Sequence, residues 1–114
     1  MIEAMLSWQS IEEKGILMTP VLEKIADELV ISAQELERRS LLAFIERERR
    51  LTQMDVADLQ DRYGVHKPTA LAQKIEECDV YAHPAWEELI EWEQLEAYER
   101  RLNNWQEELT SINV

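Results

Sequence analysis

The sequence predicts an all-α protein: a long central helix with short flanking helices and a C-terminal helix rich in tryptophan and glutamate, paired as a dimer. Three observations carry that reading. Only two glycines and three prolines occur in 114 residues, which leaves few places for tight turns. No run alternates apolar and polar residues in the manner of a half-buried strand. Apolar residues recur instead at three- and four-residue spacings behind recognisable helix starts.

In chain order, residues 2–13 read as a short amphipathic helix grouping Ile2, Met5, Leu6 and Trp8, with Gly15 as its stop. Thr19 as cap and Pro20 as first helical residue open a second helix, from Val21 to Val30, with Leu22, Ile25, Ala26 and Leu29 on one face. Ser32 and Glu35 have the spacing of a capping box, in which the Glu35 N–H donates to the Ser32 hydroxyl and the Ser32 N–H to the Glu35 carboxylate. A new helix therefore starts at Ala33. No Gly or Pro follows before Gly64, so it runs from 33 to 63. Leu36, Leu41, Leu42, Phe44 and Ile45 make its first half apolar. The charged stretch 46–50 is supported by pairs such as Glu46 with Arg50, and Leu51, Val56, Leu59 and Tyr63 resume the apolar face. The alternative is a break at Thr52, which with Asp55 would cap a fresh helix from Gln53.

At ~1.5 Å per residue the continuous helix is ~45 Å long, more than one short helix covers. A homodimer in which the long helices cover each other is the expectation. Pro68 then opens a short helix over 68–77 carrying Ala70, Leu71, Ala72 and Ile75, and the connector 78–83 turns Val80 and Tyr81 inward. Pro84 fits the first position of the last helix, with Glu87 and Glu88 near its positive end. Trp92, Leu95, Tyr98 (or Glu99), Leu102, Trp105 and Leu109 follow a 3-4-3-4 spacing and form one stripe. Trp86, Leu89 and Ile90 point partly elsewhere. By parts the chain reads as N-terminal short helices over 1–30, a central helix over 31–64 and a helical C-terminal part over 65–114, within one domain.

Charge is unevenly spread. The formal net charge is −12, and residues 77–114 hold ten acids against two bases. Such a segment repels nucleic-acid backbones and attracts basic protein surfaces. Cys78 is the one cysteine, so no intramolecular disulfide is available and a reducing, cytoplasmic setting is the expectation. Glu3, Glu12, Glu13 and Lys14 interrupt any apolar signal core, and no segment approaches a membrane span.

Cys78, His83 and Glu87 are conceivable metal ligands, with His83 and Glu87 one turn apart. One cysteine and two histidines fall short of a structural zinc set, so neither metal nor cofactor is expected, and Cys78 reads as a small buried hydrophobe. No glycine-rich phosphate loop and no nucleophile elbow occur, so no enzymatic activity is expected. Residues 51–76 have a helix-turn-helix flavour, but Ala57 to Gly64 is too long a spacing for the compact motif. Only His66, Lys67, Gln73 and Lys74 on the candidate recognition helix suit DNA. Four tryptophans are the anomaly. Trp92 and Trp105 read as core, and Trp86 as an exposed anchor.

The stretch from Arg62 to Leu102, carrying Tyr63-Gly64, Ile75-Glu76, His83-Pro84, Trp86-Glu87, Ile90-Glu91-Trp92, Leu95-Glu96 and Tyr98, resembles a group of small acidic helical proteins of bacteria and archaea. These are often encoded beside a small basic protein and look like the antitoxin half of toxin–antitoxin pairs. The resemblance implies a neutraliser of a small basic protein partner, and it implies no catalytic or metal site. The residues expected to meet that partner are Trp86, Glu87, Glu88 and Glu91. Two alternatives stay open: a DNA-binding regulator built on residues 51–76, and a structural helical dimer with no other partner.

Overall fold

The computed structural model describes residues 20–112. The reading of residues 2–13, of Gly15 and of the Thr19 cap lies outside them. The described residues form four helices: α1 over 20–29, α2 Ala33–Tyr63, α3 Pro68–Glu76 and α4 Ala82–Ile112. No strand occurs among them. None of these helices is long and apolar enough to cross a membrane. The chain divides into two compact units, Met1–Leu41 and Leu42–Val114.

In the first unit, α1 ends one residue before Val30, where the chain turns through the left-handed region at φ 59. The Ile31 N–H reaches the Ala26 carbonyl at 3.0 Å and the Val30 N–H the Asp27 carbonyl at 3.2 Å. These are the paired bonds that close a helix C-terminus. Ala26 is buried and Leu22 half-buried, while Ile25 and Leu29 stay exposed. Half of the expected capping box forms: the Glu35 N–H donates to Ser32 Oγ at 3.0 Å. The Glu35 carboxylate turns the other way, to Arg38 at 3.2 Å and Arg39 at 3.0 Å. Two guanidiniums on the adjoining turn outbid one backbone N–H, and Arg38 first, then Arg39, holds the Glu35 carboxyl below its ordinary pKa.

The second unit is built on the rest of α2 with α3 and α4. The helix is unbroken at Thr52, whose hydroxyl donates back to the Glu48 carbonyl at 2.8 Å. That internal bond lets Thr52 be buried in a heptad with Ile45 and Leu59, a position the expected face through Leu51 missed; Leu51 is exposed. Gly64 stops the helix at φ 66. Lys74 of α3 donates to the Tyr63 carbonyl at 2.7 Å, satisfying an orphan carbonyl at the end of α2.

Three polar links fix α2 against α4: Tyr98 Oη donates to Glu48 at 2.6 Å, Arg49 donates to Asn103 at 2.7 Å and to Gln106, and Arg62 pairs with Glu88. Glu48 and Arg49 meet α4 between residues 98 and 106 and Arg62, farther along α2, meets it at Glu88, so the two run antiparallel. Arg49 also reaches Glu46 at 4.0 Å, taking the role expected of Arg50. The core gathers Leu59, Leu71, Ile75, Ala85, Leu89 and Trp92. Val80 packs against it as expected, but Tyr81 and Cys78 are exposed. Cys78 cannot serve as a buried hydrophobe because it is the left-handed residue that ends α3. Trp105 is only half-buried; its ring meets Tyr98 edge-on at 6.3 Å, and the Arg101 guanidinium lies 5.2 Å from its centroid. A cation covers it where a third helix would otherwise be needed.

Candidate functional site

The surface at the start of α4 is set by how that helix begins. His83 is extended (φ −112, ψ 128), so regular helix starts with Pro84 at the first position, where its missing N–H leaves nothing unsatisfied. From there the 3.6-residue repeat sorts neighbouring side chains onto different faces. Ala85, Leu89 and Trp92 go to the core. Trp86 and Ile90, one turn apart, stay 47% and 53% exposed. Glu87 and Glu91, also one turn apart, form an exposed acidic row beside them, and exposed Glu93 flanks the other side.

His83 Nδ1 lies 2.9 Å from Glu87 Oε1. Glu87's own backbone N–H, and then His83, hold its carboxyl below the ordinary carboxylate value, so Glu87 keeps its charge further into acid than a free carboxylate does. Glu88 has a different environment. Its side chain is 14% exposed and pairs with Arg62, which also holds Asp58 at 2.6 Å. Burial raises the Tyr63 phenol pKa, and the Glu88 carboxylate beside it adds to the effect.

Of the four residues expected to meet a partner, Trp86, Glu87 and Glu91 therefore share an outward surface, and Glu88 is turned inward to Arg62. Sequence reasoning missed Arg62. The available signal was a base in the last turn of α2 ahead of a helix dense in acids.

The other constellations are placed as follows. Among the described residues no three His, Cys, Asp or Glu side chains converge on a point that would hold a metal ion. Of the residues suited to DNA, Lys74 is spent on the Tyr63 carbonyl, and the His66 carbonyl accepts from Gln60 at 3.0 Å. An open groove of about 560 Å³ lies between the start of α3 (Lys67, Thr69, Ala72) and α4 (Glu93, Glu96, Arg100). Its two cations and two carboxylates balance, so it has no net pull on an ion of either sign.

Fold and surface together define a small all-helical protein with an acid-rimmed apolar patch at the head of its last helix. A family model described as "Uncharacterized protein MJ0235 family" matches residues 18–113, and the chain belongs to that family. Comparison with curated proteins and with solved structures returned no match.

Proposed function

We propose that the protein is a non-enzymatic binding module that acts as an antitoxin-like neutraliser, docking the head of α4 on a small basic protein partner. The observation that carries this is the exposed Trp86–Ile90 pair rimmed by Glu87, Glu91 and Glu93. A large amphipathic ring left half open to solvent beside an apolar neighbour that the core does not use is the pattern of an interface anchor. The carboxylates around it supply long-range attraction to a basic surface, and the ring supplies short-range contact area once water is excluded.

The test is co-expression with the product of the adjacent gene and purification at low and high salt. The complex is expected at ~50 mM salt and weakened at ~500 mM, where the screening length has fallen to a few ångströms. Trp86→Ala is expected to weaken it ~30-fold, the effect of removing a hot-spot anchor worth ~2 kcal/mol. Glu87→Lys with Glu91→Lys is expected to slow association. A complex indifferent to both sets of changes, or no complex at low salt, refutes the proposal.

A further inference from the structure

A second exposed apolar surface lies on α2, away from the head of α4. Phe44, Leu51 and Met54 are exposed, and with Arg47 and Asp58 they follow the 3-4-3-4 spacing of a stripe that can face another helix. The stripe sits one residue out of phase with the buried heptad Ile45, Thr52 and Leu59, so it is turned about 100° from the core-facing side.

We propose that this stripe pairs with the same stripe of a second copy, antiparallel, about a two-fold axis at Leu51. Charge selects both the occupant and the direction. Arg47 and Asp55 make no ion pair among the described residues. They are two turns apart, ~12 Å along one helix, too far to meet each other. An antiparallel copy centred on Leu51 sets Arg47 beside the partner's Asp55, and symmetry repeats the pair. Leu51 then packs on its own equivalent, and Phe44 falls in the turn that carries the partner's Met54 and Ala57. A parallel pair would stack Arg47 on Arg47 and Asp55 on Asp55, which is repulsive.

The chain as a whole carries −12, but its stretch from 42 to 63 holds five acids and four bases. That near balance lets it meet a second copy without strong repulsion. The head of α4, rimmed by carboxylates, meets a second copy of itself only against repulsion. The pairing concerns α2 alone, and its test needs no heterologous partner.

The experiment is sedimentation equilibrium of the full chain. A mass of twice 13.5 kDa is expected at micromolar concentration. Leu51→Glu places two carboxylates on the axis and is expected to give a monomer with unchanged helical circular dichroism. Arg47→Asp and Asp55→Arg are each expected to weaken the dimer at least tenfold, and the double exchange to restore it within about threefold.

A monomer at every concentration, a dimer that survives Leu51→Glu, or an exchange that fails to restore association overturns the proposal. So does a monomer in which Met54→Cys, in a Cys78→Ser background, is shielded from alkylation. That result would assign the stripe to another segment of the same chain.

Discussion

Left-handed residues end three of the helices: Val30 at φ 59, Gly64 at φ 66 and Cys78 at φ 59. The conformation costs a residue with a Cβ roughly 1–2 kcal/mol. Glycine escapes that cost but gives up about 0.5–1 kcal/mol in extra unfolded-state freedom. The difference predicts that Cys78→Gly stabilises the protein by ~0.5–1 kcal/mol. Cys78 is exposed, and the bonds that close α3, Asp79 N–H to the Lys74 carbonyl at 2.9 Å and Cys78 N–H to the Ile75 carbonyl at 3.2 Å, are made by backbone that glycine keeps.

Gly64→Ala is the mirror experiment. Its new Cβ would meet only Lys74 Nζ, at 4.0 Å, an ordinary contact. The loss of ~1 kcal/mol is therefore torsional. Val30→Gly should gain the most, because Val30 is branched at Cβ and 88% exposed.

The assay is urea denaturation followed by circular dichroism and tryptophan fluorescence, whose coincidence checks that one transition is being read. With a slope of ~1.5 kcal/mol/M, Cys78→Gly should raise the midpoint by ~0.5 M. Cys78→Ala, which keeps the Cβ, should leave it unchanged. A Cys78→Gly protein no more stable than its Cys78→Ala counterpart refutes the torsional argument.

Trp92 is fully buried and its indole N–H finds no acceptor among the described residues. Trp92→Ala should cost ~3–5 kcal/mol by urea denaturation, and Trp92→Phe markedly less, since it also removes an unsatisfied buried donor. Ser32→Ala should cost ~1 kcal/mol by loss of the bond to the Glu35 N–H, read as a lower thermal midpoint. The Tyr98 phenol pKa is raised, first by its hydrogen bond to Glu48 and then by burial. A raised folded value means that the stability it confers is complete below the unfolded value of about 10 and is lost as pH rises through the folded one. Stability measured between pH 9 and 11 should therefore fall less steeply in Tyr98→Phe than in the parent protein.

The elements themselves were legible because their signals are local. Ser32, Gly64, Pro68 and Pro84 mark boundaries that the structure keeps, since each acts through its own backbone torsions or, for Ser32, through a hydrogen bond within one turn. What the sequence did not reveal depends on partners distant in the chain. Thr52 lies in the buried heptad because its hydroxyl bonds to Glu48 within α2, and a polar residue at a core position breaks a hydropathy pattern. Glu88 looks like any surface acid until Arg62, 26 residues earlier, is brought beside it. Cys78 and Val30 carry no glycine signal at all, so their left-handed torsions become visible only in the backbone.

The last helix shows why a single stripe was an incomplete description. Its buried residues start as Ala85, Leu89 and Trp92 and continue to Leu102, which half-buried Tyr98, Gln106 and Leu109 flank. On a helical wheel at ~100° per residue the centre of the first set is turned by about 120° from the second. The cause is that α3 packs on α4, with Leu71 and Ile75 joining Leu89 and Trp92 in the core. Farther along, the polar links from Glu48 and Arg49 place α2 beside it. The wheel thus has to serve two neighbours in succession, and a pattern sought at one fixed phase captures the second and, of the first, only Trp92. Trp86 and Ile90 fall in the sector that faces neither neighbour. The core formed by the described residues does not use their apolar character, and for that reason they, rather than Trp92 or Trp105, are the residues on which the proposed binding role rests.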